Sequence, residues 1–249
     1  KLRGDIILVL DDAYAEYAEY VNTGDPRRKY FAVIHPVKIF GGYTGSGDAR
    51  STDPLLTILS ADTGRPSVTG TLTVDDNGEP RATSTVPNDN ADWLMMIGPY
   101  VFGGSEGAAA YTPDNMVLDG LTFEKTPYGA LVCNGNTDTL AAGAVNQCGL
   151  RVNNAVFRNN FMKGHAVLHV QFDENTGPTK LVVTQSQFLN NSRGYANGGG
   201  SAIDFYGFRP EGGSKPPAEL LIDNSIFEGN TVGNGSVVGN SGMVDLKLE

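Results

Sequence analysis

The chain is poor in charge, and poorest in positive charge. Only 18% of its 249 residues are charged, and 18 Lys and Arg stand against 28 Asp and Glu, a net charge of −10. Proteins that bind nucleic acid need clustered Lys and Arg against the phosphates. The densest basic segment here is residues 27–29 (RRK), which is typical of a solvated turn. We therefore expect no nucleic-acid partner.

Long hydrophobic runs are also missing. The longest aliphatic run is residues 6–10 (IILVL), far shorter than the roughly 20 apolar residues that a helix needs to cross a bilayer. We therefore expect no membrane span in this chain. The sequence begins with Lys, not Met, and we expect it to be a processed or excised piece of a larger protein.

Cysteine is nearly absent, since Cys133 and Cys148 are the only two. Structural metal sites take Cys and His in sets of four, so we expect no metal and no cofactor; weak Ca²⁺ binding is compatible with the acidic balance. A disulfide across the Gly-, Asn- and Ala-rich loop is the favoured expectation, and it indicates an oxidising compartment. Two reduced, partly buried thiols are the alternative.

Glycine is abundant, at 32 residues, and it accompanies an internal repeat. Four segments align without gaps: residues 116–123 (MVLDGLTF), 150–157 (LRVNNAVF), 181–188 (LVVTQSQF) and 220–227 (LLIDNSIF). Each begins with alternating apolar and variable positions, the pattern of a half-buried strand. A Gly or polar pair then predicts a bend. The final residues form one column: Phe123, Phe157, Phe188 and Phe227.

Two short strands around a bend, recurring at this period, predict one corner of a solenoid whose coils stack about 4.8 Å apart. Three copies carry an asparagine three residues after the phenylalanine, at Asn160, Asn191 and Asn230, whereas the first carries Thr126. We expect these asparagines to form a hydrogen-bonded ladder. A second strand repeats at residues 129–131, 164–167, 200–203 and 235–238.

The fold predicted from these patterns is an all-β parallel solenoid with long loops, forming a single domain over residues 1–249. We expect opening coils in residues 1–70 and regular coils in residues 116–249. The Asn77-Gly78 turn between alternating residues predicts a protruding hairpin at residues 71–85. Residues 86–115 are expected to be an irregular connection or coil.

The F-x-x-N pattern, together with residues 199–203 (GGSAI), resembles the polymorphic outer-membrane protein repeat. Residues 37–45 (VKIFGGYTG) and 57–62 (TILSAD) look like the opening coils of secreted bacterial right-handed β-helix proteins. The resemblance implies a right-handed, pectin-lyase-like parallel β-helix located outside the cell or on the outer surface of a bacterium. The sequence departs from the repeat at Thr126 and in its unusually long loops.

Polygalacturonases share this scaffold, but their motifs are incomplete here. Residues 136–138 (NTD), 11–12 (DD) and 164–165 (GH) occur in the wrong order, and R-I-K is missing. Asp119 and Asp223 share one column but are separated by about three coils, too far for paired-carboxylate hydrolysis. We therefore expect no catalytic residues.

The two histidines of the repeat region, His165 and His169, are predicted on one face of a strand, about 13 Å apart and in exposed positions. This separation is too large for a shared metal ion. Contact of either with Asp204 or Tyr206 on the next coil is possible. Tyr206 and Phe208 favour a carbohydrate-stacking surface. The candidate ligand-binding residues are therefore Tyr206, Phe208, Asp204 and His169. Trp93 is expected in the core.

The function expected from these features is a non-catalytic extracellular β-solenoid module, adhesin-like or structural, displaying binding loops. Its partner would be a cell-surface glycan or protein, or a second copy of the chain. The alternatives are a carbohydrate-active β-helix, either a polysaccharide lyase or a glycoside hydrolase, and a filament subunit whose open solenoid ends stack.

Overall fold

Short strands with alternating buried and variable residues dominate the chain. The computed structural model describes residues 30–33, 36–43, 49–61, 71–74, 80–83, 93–98, 110–135, 147–162, 165–172, 179–193, 201–207, 218–232, 237–241 and 245–248. Over these residues the protein is all-β, with one single-turn 3-10 helix at Pro54–Leu56. All of its larger sheets are parallel, as a solenoid-like stack of coils requires.

Three parallel sheets run the length of the stack. Sheet I has six strands in the order β1 (Phe31–Val33), β6 (Trp93–Ile97), β10 (Gly129–Gly135), β15 (Leu168–Phe172), β19 (Ile203–Gly207) and β23 (Val238–Ser241). Sheet II also has six strands: β2 (Lys38–Phe40), β8 (Val117–Asp119), β12 (Leu150–Asn153), β16 (Thr179–Thr184), β20 (Ala218–Asp223) and β24 (Asp245–Leu248). Sheet III has five: β3 (Ile58–Ser60), β9 (Thr122–Glu124), β13 (Val156–Arg158), β17 (Gln187–Leu189) and β21 (Ile226–Glu228).

Smaller strands complete the coils. One short parallel sheet joins β14 (Phe161–Met162), β18 (Ser192–Arg193) and β22 (Thr231–Val232), and another joins β7 (Ala110–Tyr111) and β11 (Gln147–Cys148). A regular coil therefore passes from sheet II to sheet III, then through a short strand to sheet I. The predicted hairpin is confirmed as an antiparallel pair, β4 (Thr71–Val74) with β5 (Pro80–Thr83).

The strand register confirms the gap-free alignment of the four repeats. Leu150 pairs with Leu181 and Leu181 with Leu220, while the four phenylalanines pair in sequence across sheet III. Neighbouring rings are stacked, with centroids 4.9, 4.8 and 4.8 Å apart and planes within 7°. Phe123, Phe157 and Phe188 are completely buried. Identical side chains therefore fill the core at the same place in each coil.

The asparagine ladder is confirmed as well. The side-chain amide of Asn191 donates to the Phe157 carbonyl at 2.9 Å and to the Asn230 side-chain oxygen at 2.9 Å. Its own side-chain oxygen accepts from the backbone and the side chain of Asn160. Asn160 and Asn230 donate in the same way to the carbonyls of Phe123 and Phe188. The ladder thus satisfies buried backbone groups that the turn leaves without strand partners.

Each regular coil contains two left-handed bends. The Gly or polar pair in each repeat predicts the first of them. The bend between sheets II and III holds Gly120, Asn154, Gln185 and Asn224, with φ between 44° and 70°. The bend two residues after each phenylalanine holds Lys125, Asn159, Asn190 and Gly229, with φ between 53° and 64°. Gly and Asn enter this region at least cost, which explains their enrichment in both columns.

One expectation about the coils was wrong in detail. The predicted alignment of the second repeated strand pairs Val167 with Ile203, whereas in sheet I the partner of Ile203 is Leu168. Within residues 86–115, β6 is a full member of sheet I and contributes Leu94, Met95 and Ile97 to the core.

Candidate functional site

The outer face of sheet I carries a buried polar pair. In β15, Leu168 and Val170 belong to the hydrophobic core, so His169 between them lies on the opposite face. Asp204 lies directly opposite His169 in the register of β19. Both residues are almost completely buried, at 4% and 5% exposure. The expectation that His169 occupies an exposed ladder position was therefore wrong, and its Nδ1 lies 3.3 Å from Asp204 Oδ2, a contact that the sequence had left open.

His165 packs against this pair. Its ring centroid lies 4.2 Å from that of His169, not the 13 Å expected for an extended strand. The expectation failed because β15 begins only at Leu168, so His165 precedes the strand and lies on a bend. Close approach of the two rings is thus a consequence of local turn geometry.

Arg193 completes the group. It lies in β18, in the column of Met162 and Val232, where the neighbouring coils carry apolar side chains. Its Nη1 is 3.7 Å from Asp204 Oδ2, and its side chain is 8% exposed. Burial lowers the pKa of the guanidinium, and the Asp204 carboxylate opposes this effect. We call His165, His169, Arg193 and Asp204 the polar cluster.

The electrostatics of the polar cluster disfavour protonation of His165. Burial, assisted by His169 and Arg193, lowers the pKa of His165 from 6.5 to about 4, and Asp204 offsets only part of this shift. His169 Nδ1 is 3.3 Å from Asp204 Oδ2, yet neither of its ring nitrogens makes a hydrogen bond within the described part of the chain. Clusters with such perturbed groups occur frequently at functional sites.

Tyr206 lies on the same outer face, two residues after Asp204. It is 36% exposed and pairs with Gln171 on one side and Ser241 on the other. The structure thus brings three of the four candidate ligand-binding residues, His169, Asp204 and Tyr206, onto one face. The fourth, Phe208, lies outside the described residues.

A row of aromatic rings leads to the polar cluster from the first coils. Tyr30, Trp93, Tyr128 and His165 contact one another in order, edge to face, with centroids 6.0, 5.1 and 5.3 Å apart. All four are partly exposed. Trp93, expected in the core, therefore lies at its edge, while its neighbours Leu94 and Met95 are buried.

The disulfide between Cys133 and Cys148 is confirmed, so the alternative of two reduced thiols was wrong. It joins β10 to β11, with both cysteines fully buried and their Cα atoms 5.9 Å apart. Closing a loop of about 15 residues is worth roughly 3 kcal/mol through the lost entropy of the unfolded chain.

The polar residues of the sheet II bend have structural partners. Asp119 accepts from Arg50 and from Asn153, and Thr184 donates to Asn153. Asp119 and Asp223 are three coils apart in the register, as predicted. The NTD sequence at 136–138 lies outside the described residues.

Two features are absent from the described part of the chain. No group of three or more His, Cys, Asp or Glu among them is placed to hold a metal ion. No helix in the same part of the chain is long and apolar enough to cross a membrane.

Comparison with known proteins adds no assignment, since no family model, curated protein or solved structure matches the chain. Function must therefore be inferred from the geometry of the chain itself.

Proposed function

We propose that this protein is a non-catalytic extracellular binding module, adhesin-like, that presents the outer face of sheet I to a cell-surface glycan. The observation that carries the proposal is the position of Tyr206. It is an exposed aromatic side chain on sheet I, with the polar residue Gln171 paired beside it in the neighbouring coil. An aromatic ring with adjacent polar groups suits a ligand with alternating apolar and hydroxyl surfaces, such as a sugar ring.

The scaffold proposed for this module is a right-handed parallel β-helix. Parallel strands connected by crossovers are right-handed in about 98% of known cases, and this rule supports the assigned hand. A location outside a bacterial cell is supported by the buried disulfide, because disulfides persist in oxidising compartments.

The proposal is tested by binding the purified protein to a panel of immobilised acidic and neutral polysaccharides, with and without Ca²⁺. Tyr206→Ala should weaken binding by roughly three- to tenfold, the value of one aromatic contact. The matched control is Leu55→Ala, which removes another exposed apolar side chain from the 3-10 helix. Equal affinity of the two variants, or binding of none of the polysaccharides, contradicts the proposal and shifts the partner to a protein or to a second copy.

A second candidate, a carbohydrate-active enzyme, is supported by the polar cluster. A histidine with a strongly lowered pKa beside a carboxylate and an arginine has the composition of a general acid–base site. The same panel distinguishes the two functions, since release of reducing or unsaturated ends would establish the enzyme and overturn the non-catalytic module.

A further inference from the structure

The charges of the polar cluster are balanced at neutral pH, and positive charge is in excess in acid. Arg193 and Asp204 carry one positive and one negative charge, and the two histidines are neutral when unprotonated. Protonation of His165 would add a second positive charge beside Arg193 and a single negative charge, in a site where the other three residues are less than 7% exposed. Like charges repel strongly where water is excluded.

The described surroundings of the cluster offer no further negative charge. Val132 of β10 lies opposite His169 on one side, and Gly239 of β23 lies opposite Asp204 on the other. Tyr128 contacts His165 from the preceding coil. Asp204 is thus the one carboxylate facing the histidines among the described residues, and Arg193 already occupies one side of it.

The cluster also connects two strands of the proposed binding face. His169 and Asp204 lie two residues before Gln171 and Tyr206 in β15 and β19. Any separation of the two strands at the first pair displaces the second, because adjacent residues in a strand share one rigid backbone.

We propose that the polar cluster is an acid-sensitive latch, which holds β15 and β19 together at neutral pH and loosens the Tyr206 face when His165 is protonated. The direction of the pH effect follows from the different numbers of protons that the folded and unfolded chains bind. The pKa of His165 is lower in the folded chain, about 4, than its ordinary value of 6.5. The unfolded or locally opened chain therefore binds more protons in this range, and stability declines as the pH falls from 6.5 toward 4.

Hydrogen exchange of the intact protein tests the latch without any ligand. Amide exchange is measured at about pH 7 and about pH 4.5, corrected for the intrinsic rate, in peptides covering residues 165–172 and 201–207. We expect it to rise at least tenfold in acid there, while peptides covering the phenylalanine ladder change by less than about twofold. An unchanged rate in residues 165–172 and 201–207 overturns the proposal.

Variants assign the response to its residues. The double variant His165→Gln/His169→Gln should lose most of the acid response, whereas His35→Gln, which changes the remaining histidine of the chain, should keep it. The opposite pattern overturns the latch. If the double variant does not fold, histidine NMR titration of the unaltered protein decides, because the latch requires His165 to titrate below 6.5.

The latch rests on the proposed function only in naming the Tyr206 face as the surface it controls. If hydrogen exchange does not depend on pH while glycan binding is intact, only the latch is overturned. Acid-dependent exchange without glycan binding at any pH removes the proposed function and leaves the latch in place.

Discussion

The phenylalanine–asparagine corner and the polar cluster are built from the same coils on opposite principles. At the corner, each coil repeats one solution, with a stacked ring and an asparagine that bonds to the coils on both sides. In the cluster, charged and titratable side chains occupy columns that are apolar or empty in neighbouring coils, as Arg193 does beside Met162. Repetition thus accounts for stability, while the departure from repetition marks the candidate site.

The largest effect is expected from the centre of the ladder. Phe157→Ala removes a fully buried ring that stacks on both Phe123 and Phe188, and it should lower the free energy of unfolding by about 3–5 kcal/mol. Chemical denaturation measures this loss. Phe40→Ala, which removes a ring that is 37% exposed, should cost less than about 1 kcal/mol. Similar costs for both variants would mean that the ladder is not the main source of stability.

Arg193→Met tests the cluster by giving it the residue type of the adjacent coil. The variant leaves the Asp204 carboxylate buried without its arginine, and it should destabilise the fold by roughly 2–4 kcal/mol. The double variant Arg193→Met/Asp204→Asn removes the stranded charge and should recover more than half of that loss in the same denaturation experiment. No recovery would show that Arg193 acts through packing, as its column neighbours do.

Asn191→Ala probes the polar part of the ladder. It removes the Asn191 partner of the Phe157 carbonyl and of the Asn160 backbone N–H, and we expect a loss of about 1–3 kcal/mol in the free energy of unfolding. Gln187→Ala, at a half-buried position in the adjacent strand, is the matched control and should change stability by less than about 0.5 kcal/mol. A smaller effect at Asn191 than at Gln187 would contradict the structural role of the ladder.

The smallest expected effect is a gain in stability. Gln185 has φ of 51° at a bend where two sister coils carry Asn154 and Asn224. Because asparagine tolerates the left-handed region better than glutamine, Gln185→Asn should raise the free energy of unfolding by about 0.5 kcal/mol. The same change at Gln187, which lies in an ordinary strand, should give no gain, and a thermal-unfolding comparison of the two variants checks this.

The ladder was predictable because its signal is redundant. Four copies of one pattern place Phe188 or Asn191 in its column even where a single copy would be ambiguous. The second left-handed bend has a comparable signal in Asn159, Asn190 and Gly229, two residues after the last three phenylalanines, and no prediction used it. The alignment of the second strand slipped by one residue at Val167, because its repeat is short and weakly patterned.

The polar cluster was only half predictable. The sequence selects Asp204 and His169 as candidates, but it predicts neither the burial of His169 nor the approach of His165. Both depend on the bend before β15, which no repeat specifies. Arg193 was not predicted, because nothing in its local sequence indicates that its guanidinium reaches Asp204 in β19, the strand that follows along the chain.

The sequence by itself determined the period of the coils, the column that each ladder residue occupies and the hairpin, and it favoured the pairing of the two cysteines. The ladder residues meet their equivalents one coil away, so the repeat alone specifies their contacts. The hairpin is specified locally by its turn. Only the tertiary structure decided that two histidines, an arginine and an aspartate share one buried site. Their contacts depend on turn geometry and on where each long loop returns the chain, and the charges at that site have energetic meaning only once water is excluded.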